Sequence, residues 1–224
     1  MRLAIVIPTL NEEAALAENL EPARSVADIL VVADGGSRDR SLELAIEHGA
    51  KTVVSEPSRG LQLRSGAQLA ITHGATVLLF LHADTILPDD CRRRIRNALD
   101  DGAVGGGFSI RFDDPRRLFR LGAGIVNLRT RMFKMPLGDQ AQFVLATVYE
   151  ELGGFADWPI LEDLDFVRRL KRRGPIAIVT APVLTQARRF QEHGITRTVG
   201  TNWLIWLLFL VGVEPERLAR LYPR

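Results

Sequence analysis

The sequence predicts an α/β fold with a mostly parallel sheet flanked by helices, and three observations support this. Short, continuous apolar runs recur in the first half of the 224-residue chain, as expected for strands that are buried on both faces. Helical patterns separate some of these runs, which favours right-handed crossovers between parallel strands. Polar side chains follow each run, at the strand ends where sheets of this kind bind their ligands.

The first half of the chain contains four candidate strands and two helical patterns. The strands are Leu3–Ile7, Ile29–Ala33, Thr52–Val54 and Val77–Leu81. The helical patterns are Leu42 to Gly49, with Ser37 as the candidate cap, and Gly60–His73. Strands and helices in this order are typical of βαβ units.

The second half is less regular, and we predict two strands and two helices in it. The strands are Gly105–Phe112 and Gln142–Thr147, and the helices are Arg116–Phe133 and Leu164–Arg173. The sequence contains no internal repeat, low-complexity tract or Ser/Gly-rich linker. We therefore predict one domain over residues 1–190 and a C-terminal helical tail over residues 191–224.

Composition and charge exclude several classes of protein. Apolar residues make up 46% of the chain and charged residues 25%, so the chain can form a core and is not mainly disordered. A net charge of +2 is not the basic excess of a nucleic-acid binder, and no nucleic-acid partner is expected. Cys91 is the only cysteine, which excludes an internal disulfide framework and favours a reducing compartment.

An uncharged stretch, with Trp203–Val211 as its apolar part, runs from Thr198 to Val213. A helix of that length spans about 24 Å, less than the ~30 Å of bilayer hydrocarbon, so a spanning helix is disfavoured. Two alternatives stay open, which are attachment to a membrane surface and burial against a second subunit. We expect a cytoplasmic protein that is either free or peripheral at the inner face of the membrane.

Polar residues follow all four candidate strands of the first half. They form the segments Pro8–Glu13, Asp34–Ser37, Glu56–Gly60 and His82–Thr85. Four successive strand ends with carboxylates or arginine favour a ligand site over a solvated rim. Glu12 and Asp34 can each accept hydrogen bonds from a ribose or a base, although Asp34 before two glycines is also typical of a turn.

Further carboxylates suggest metal and proton chemistry. Asp84 can hold a divalent cation that neutralises a diphosphate, because Mg²⁺ needs few protein ligands when phosphate oxygens complete its shell; a helix cap is the alternative. Glu162 and Asp163 open a predicted helix, where an ionised carboxylate suits a general base and capping is the other interpretation. Gly138, Asp139 and Gln140 form a third polar spot, between two apolar stretches. No G-x-G-x-x-G or P-loop follows the first strand.

In their order along the chain, these motifs resemble those of the family 2 glycosyltransferases, which have the GT-A fold. The segments are Ile5–Glu13, Val31–Ser37, Arg59-Gly60, Leu81–Thr85 and Leu161–Asp163. The likeness spans residue 3 to about residue 190. It implies an inverting transfer of a sugar from a nucleotide-diphosphate sugar to an acceptor hydroxyl, helped by Mg²⁺ or Mn²⁺.

The resemblance also implies roles for individual residues. Asp84 matches the last Asp of the family's D-x-D motif, and Asp163, with Glu162 beside it, matches the catalytic base. The remaining expected contacts are Pro8, Thr9, Asn11, Glu12 and Asp34 for the nucleoside, Arg59 and Arg64 for the base or phosphates, and Asp139, Gln140 and Arg189 for the diphosphate or the acceptor.

The chain departs from the family pattern at two positions. His82 stands where the first Asp of D-x-D is expected, which leaves Asp84 as the main metal ligand and His193 as a candidate second one. Phe190 replaces the Trp of the Q-x-x-R-W motif. In its short length, its Arg-Arg-Phe sequence and its apolar tail, the chain is similar to a bacterial subgroup of this family. That subgroup is named for arsenosugar biosynthesis and found beside radical-SAM genes. Other small members act on lipid carriers, so the expected acceptor is a small molecule or a lipid-linked one.

Two other functions stay open on the sequence alone. A nucleotidyltransferase has a similar sheet and metal, but it normally needs a Gly-rich, basic loop after the first strand, whereas Pro8–Glu13 is acidic. A non-catalytic, membrane-associated protein that binds nucleotide sugars is favoured only by His82, and the presence of Asp163 argues against it.

Overall fold

The structure, a computed structural model, describes residues 1–187, 200–201, 204–205, 207–209 and 211–221. Within these ranges a single mixed sheet has the strand order β3-β2-β1-β4-β7-β6-β8-β5. The strands are β1 Leu3–Thr9, β2 Ile29–Asp34, β3 Lys51–Val54, β4 Val77–Phe80, β5 Thr85–Ile86, β6 Gly105–Phe112, β7 Phe143–Leu145 and β8 Ile176–Thr185. The helices are α1 Glu13–Val26, α2 Ser41–Glu47, α3 Arg59–Thr72, α4 Cys91–Asp100, α5 Arg117–Phe133, α6 Ala146–Glu151 and α7 Glu162–Arg173, with short helical turns at Gly138–Gln140, Pro215–Leu218 and Ala219–Leu221.

The first half of the sheet is parallel. Strand β1 lies between β2 and β4 and is parallel to both, and β3 is parallel to β2. Thr9 pairs with Asp34, and Val6 pairs with Phe80, so the carboxyl ends of these central strands open onto one edge. Strand β7 is antiparallel to β4 and β6, whereas β6 and β8 are parallel. The predicted α/β class with a mostly parallel sheet is confirmed.

Apolar layers cover both faces of the sheet. Alternate side chains of a strand point to opposite faces, and Leu3 and Ile5 of β1 belong to one buried cluster, which includes Leu16 of α1. Ala4 and Val6 belong to the other cluster, which includes Leu63 of α3. The central strands are therefore buried on both sides and hold the polar strand ends in fixed positions.

Three sequence predictions need correction. Strand β3 is not buried on both faces, because it is an edge strand, and Lys51 and Val54 are exposed. Ser37 does not cap α2, which begins at Ser41; its hydroxyl donates to Asp34 instead. The predicted strand over Gln142–Thr147 is shorter, since β7 ends at Leu145 and α6 begins at the next residue.

Other elements were not predicted or begin elsewhere. Helix α1 carries Pro22 in its interior, which hides the helical pattern, and α4 and β8 were also missed. Strand β8 includes Pro182 and lies beside a register shift between Phe108 and Ser109 of β6, the kind of irregularity at which proline is tolerated in a sheet. Helix α7 begins at Glu162, two residues before the predicted start.

The apolar stretch over Thr198–Val213 falls only partly within the described residues. Among those residues, no helix combines the length and the apolar composition that crossing a bilayer requires.

Candidate active site

Asp34 closes the turn that follows β2. Its Oδ1 accepts hydrogen bonds of 2.8 Å from the backbone N–H groups of Gly36 and Ser37, and its Oδ2 accepts one of 2.5 Å from the Ser37 hydroxyl. Gly36 has a φ of 86°, which glycine adopts without steric cost. Asp34 is 1% exposed. Its carboxylate therefore acts at this edge of the sheet by holding the turn in shape.

The turn is tied to the loop that follows β1. The Asn11 backbone N–H donates to Ser37 Oγ at 2.9 Å, and the Asn11 side-chain oxygen accepts from the Arg38 N–H at 2.8 Å. The Glu12 N–H donates to the Ser41 hydroxyl at 2.9 Å. The two predicted nucleoside segments, around Asn11 and Asp34, therefore form one connected surface.

Gln62 belongs to the candidate site, although the sequence does not single it out. Its amide nitrogen donates to the carbonyl oxygens of Thr9 at 2.7 Å and Ala33 at 3.0 Å. Thr9 is the last residue of β1 and Ala33 is the last but one of β2, so one buried side chain of α3 fixes the spacing of both ends. Gln62 follows Arg59-Gly60 by one turn, and this position is the only signal of it in the sequence.

A second cluster forms where β4, α3 and α7 meet. The Asp163 Oδ2 accepts a hydrogen bond of 2.6 Å from the Gly138 N–H, and its Oδ1 accepts one of 2.7 Å from the Leu164 N–H. A Cβ placed on Gly138 would lie 2.8 Å from Arg59 Nη2, 3.1 Å from Asp163 Oδ2 and 3.2 Å from His82 Nε2. These groups come from four parts of the chain and converge on one point.

Glu162 is buried beside Asp163 and pairs with Arg59. Its Oε1 lies 3.0 Å from Arg59 Nε, and its side chain is 4% exposed. The Arg59 guanidinium also contacts the His82 ring. Burial, opposed by Arg59 and reinforced by the neighbouring Asp163, raises the pKa of Glu162 to about 7. The pair therefore places a carboxyl that titrates near neutral pH directly next to Asp163.

These residues line a small cavity. Pro8, Arg59, His82, Gly138, Glu162 and Asp163 are among its lining residues. Its volume is about 10 Å³, which is room for about one water molecule. The cavity lies beyond the ends of β1 and β4, the place where open α/β sheets bind ligands.

Asp139 and Gln140 have different environments. Desolvation raises the pKa of Asp139; Arg129 and Arg59 lower it, and Asp163 raises it, so these charges lie close together. Gln140 is fully buried. Its Oε1 accepts from the Thr130 hydroxyl at 2.8 Å and the Leu137 N–H at 3.1 Å, and its Nε2 donates to the Phe108 carbonyl at 2.9 Å. Gln140 thus joins the turn that carries Asp139 to α5 and β6.

Asp84 lies four residues beyond the end of β4 and is half-buried. Its Oδ1 accepts a hydrogen bond of 3.2 Å from the Thr85 hydroxyl, and its carbonyl accepts one of 3.3 Å from the Gln186 N–H. In the described residues, no group of three His, Cys, Asp or Glu side chains is arranged to hold a metal ion. A lone, half-buried carboxylate fits a Mg²⁺ or Mn²⁺ ion that brings diphosphate oxygens and waters as its other ligands.

Other predicted site residues fall outside these clusters. Arg64 lies on α3, is exposed, and faces Tyr149, whose pKa it lowers slightly against a larger rise caused by burial. Arg189 and His193 lie outside the described residues. The structure thus brings together Pro8, Arg59, Glu162 and Asp163 in one cavity, and links Asn11 to Asp34 in one surface.

The chain has an α/β fold of the GT-A-like type, a mixed and mostly parallel sheet flanked by helices, with polar strand ends at its central edge. Residues 4–151 match the family model described as "Glycosyl transferase family 2". The chain belongs to this family and is a glycosyltransferase. The match ends before Glu162 and Asp163.

Solved structures of low sequence identity share the fold. The crystal structure of S. aureus TarS 1-349 has a TM-score of 0.64 at 13% identity and covers 99% of this chain and 69% of its own. The same protein in complex with UDP-GlcNAc has a TM-score of 0.60 at 14% identity and covers 83% of this chain and 58% of its own.

Glucosyl-3-phosphoglycerate synthase from Mycobacterium tuberculosis, in complex with Mn²⁺, UDP and glucosyl-3-phosphoglycerate, has a TM-score of 0.61 at 21% identity. This match covers 95% of this chain and 80% of that one. At such identities the likeness is one of fold. No protein of curated function is significantly similar to the chain in sequence.

Proposed function

We propose that the protein is an inverting glycosyltransferase, which moves a sugar from a nucleotide-diphosphate sugar to an acceptor hydroxyl with Asp163 as general base. The observation that carries this proposal is the convergence of Asp163, Arg59 and His82 on one point beside Gly138. Family membership supports the reaction class, and the solved complexes with UDP-GlcNAc and UDP are those of other proteins with this fold.

Asp163 is suited to remove the acceptor proton. It is half-buried at the first turn of α7 and lines the cavity. The backbone N–H groups of Gly138 and Leu164 hold its two oxygens, so the carboxylate keeps one orientation before the acceptor arrives. A fixed base within hydrogen-bond reach of the attacking hydroxyl is the arrangement that general base catalysis needs.

The acceptor oxygen then attacks the anomeric carbon from the face opposite the nucleotide, which inverts the configuration at that carbon. The leaving diphosphate gains negative charge as its bond to the sugar breaks. Arg59, which lines the cavity, is positioned to stabilise that charge.

The nucleoside is expected along the surface formed by Pro8, Thr9, Asn11, Glu12 and Asp34. Asp34 would contribute to this surface by holding the turn in shape. Gln62 fixes the ends of β1 and β2, which carry the surface. Arg64 and Asp139 remain candidates for contacts to the donor or the acceptor. Gln140 is expected to act by holding the Asp139 turn in place.

Asp84 is the residue proposed to hold a divalent cation. When bound, Mg²⁺ or Mn²⁺ would supply positive charge to the diphosphate. The proposed ligand set is Asp84 together with phosphate oxygens and water, because the described residues contain no group of three metal-binding side chains. Arg189 and His193 remain candidates for the diphosphate or acceptor and for the metal, respectively.

The acceptor is expected to be a small molecule or a lipid-linked alcohol. The narrower likeness to transferases of arsenosugar biosynthesis stays a prediction, because the family match does not distinguish subgroups. The division into a domain over residues 1–190 and a tail over residues 191–224 also stays a prediction, as does a cytoplasmic location.

The test is the variant Asp163→Asn, assayed with UDP-sugars and Mn²⁺ for both donor hydrolysis and nucleotide binding. We expect hydrolysis of the donor, in which water takes the place of the acceptor, to fall by at least about a hundredfold because the base is lost, while UDP affinity changes little. Asp165→Asn is the matched control. Asp165 lies in the same first turn but pairs with Arg169 at 2.7 Å, so this variant should retain activity. Near-normal turnover of Asp163→Asn would rule out the assigned role.

A further inference from the structure

Helix α5 has two apolar faces, of which one is buried and one is open to solvent. Successive residues of a helix are about 100° apart, so Phe119, Ala123 and Thr130 lie on one side and are buried. The opposite side carries Leu118, Leu121, Ile125, Leu128 and Met132, which are 53% to 68% exposed. We call these five residues the α5 stripe. Successive members are three, four, three and four positions apart in the sequence, so they form a continuous band along the helix.

The α5 stripe is an unusual feature for a surface helix. A single exposed apolar residue needs no explanation, but a contiguous patch of this size usually marks an interaction surface. The helix is 17 residues long, so the stripe runs for about 25 Å along the protein. A Cβ placed on Gly122 or Gly124 would meet no atom within 4 Å, so the helix surface is open beside the stripe as well.

The charge of the helix identifies the kind of partner. Residues 117–133 include four arginines and no acidic residue. Arg117, Arg120 and Arg131 are exposed, and Lys134 follows directly and is exposed too. An apolar stripe flanked by cations is the pattern of helices that lie in the surface of anionic membranes.

A second copy of the chain fits this surface less well. If two α5 stripes packed against each other, the exposed arginines of one helix would face those of the other, with no carboxylate on either helix to compensate. Like charges brought together in this way destabilise an interface. Anionic lipid headgroups instead supply the negative charge that the helix itself lacks.

A second exposed apolar segment contacts α7, the helix that also contacts the end of α5. Arg168 of α7 lies over the Phe209 ring, 5.7 Å from its centroid, and Lys171 Nζ donates to the Phe133 carbonyl at 2.5 Å. Arg168 and Lys171 are three residues apart and share a face of α7, so one face of α7 contacts both the end of α5 and the chain at Phe209. Leu204, Leu207 and Val211 in that segment are 50% to 77% exposed.

We propose that the α5 stripe, extended by the exposed side chains near Phe209, is a docking surface for an anionic lipid bilayer. The apolar side chains would enter the boundary between headgroups and acyl chains, and the flanking arginines would contact lipid phosphates. This inference goes beyond the proposed reaction and does not depend on it. The same helix holds Gln140 through Thr130, so the bound surface would lie on the element that supports the Asp139 turn.

The test is flotation of the purified full chain with vesicles. We expect the protein to float with vesicles that contain phosphatidylglycerol, and to bind several-fold less to pure phosphatidylcholine or in high salt, which screens the arginines. The double variant Leu121→Glu/Ile125→Glu should lower binding at least about tenfold. The matched control is Ile46→Glu on α2, since Ile46 is 59% exposed, much like Ile125 at 60%. That control should float like the wild type.

Three results would overturn the proposal. The first is a wild-type protein that stays in solution with anionic vesicles, and the second is a double variant that floats as well as the wild type. The third is a double variant that is monomeric where the wild type is dimeric, or whose melting temperature is far below that of the Ile46→Glu control. Dissociation would identify a second copy as the occupant of the stripe, and early melting would show that the chain covers the stripe itself. Neither readout uses catalytic activity.

Discussion

Arg59 Nε lies 3.0 Å from Glu162 Oε1, and this ion pair joins the first residue of α3 to the first residue of α7. The two residues are far apart in sequence, and the pair brings the proposed base Asp163 to the end of β4. The same guanidinium contacts His82. One arginine thus connects the part of the chain matched by the family model with the segment beyond it.

Gly138→Ala tests the convergence of groups at the site. A methyl group at this position would lie 2.8 Å from Arg59 Nη2 and close to Asp163 and His82, so these side chains would have to move. Because small displacements of catalytic groups are costly, we expect kcat/KM to fall at least about tenfold with a nearly unchanged melting temperature.

The matched control is Gly124→Ala on α5, where a Cβ meets nothing within 4 Å. Alanine is favoured over glycine within a helix by up to ~1 kcal/mol, so this variant should keep full activity and gain stability. Equal activity of Gly138→Ala and the wild type would contradict the role of Gly138.

Glu162 gives stability a predicted dependence on pH. Burial raises the pKa of its carboxyl from 4.5 to about 7, so between these values the folded protein holds a proton that the unfolded chain has released. The contribution of this group to the free energy of unfolding therefore falls as the pH rises through this window. A difference of this size corresponds to roughly 3 kcal/mol.

Glu162→Gln cannot ionise and should lack this dependence. As the pH rises through this window, the free energy of unfolding of the wild type should fall relative to that of the variant. Urea denaturation at several pH values measures it. Glu151→Gln, which alters an exposed ion pair with Arg173, is the comparison. A shift of the same size in that variant would show that Glu162 is not its source.

Asp84→Asn tests the proposed metal ligand. We expect Mn²⁺ to strengthen UDP binding to the wild type at least about tenfold, or ~1.4 kcal/mol, and to have little effect on the variant, since a neutral amide is a poor ligand for a hard cation. Calorimetric titration with and without Mn²⁺ measures both affinities. Asp89→Asn, an exposed neighbour, should behave like the wild type. An undiminished effect of Mn²⁺ on Asp84→Asn would exclude the assignment.

Gln140→Ala tests whether this side chain is structural. Removing the amide leaves the buried Thr130 hydroxyl and the Leu137 N–H without the acceptor they share, and each unsatisfied buried group costs about 1–3 kcal/mol. We expect a loss of at least ~2 kcal/mol of unfolding free energy in urea. Gln68→Ala, at an exposed position of α3, should change it little. A variant as stable as the wild type would contradict this role.

The sequence predicted the strand ends that position the candidate site, because these depend on local pattern. The runs ending near Thr9, Asp34 and Phe80 are strands because each is a short apolar block, and their polar ends meet because parallel neighbours share an edge. The resemblance to the family, carried by these same segments, led to the family to which the chain belongs.

The sequence did not predict contacts that depend on the folded chain. Gln62 bonds to two strand ends, and Gly138 lies among three site groups, but neither residue type is unusual where it stands in the sequence. Arg59 was expected near the nucleotide base or the phosphates, and nothing local shows that it also pairs with Glu162 across the fold. Strand β8 escaped detection because Pro182 lies at a register shift that only its partner strand reveals.

The strand order has a consequence for how the protein forms. Strands β1 to β4 occupy neighbouring places at one side of the sheet, so they can pair as soon as the ribosome has released the chain up to Phe80. The β6–β8 pairing and the cluster at Gly138 and Asp163 need residues made much later, and closing such long loops is slow. During synthesis, the half that carries the proposed nucleoside surface is therefore expected to fold before the half that supplies Asp163, the proposed general base. A nascent chain stalled after β4 should already resist proteolysis.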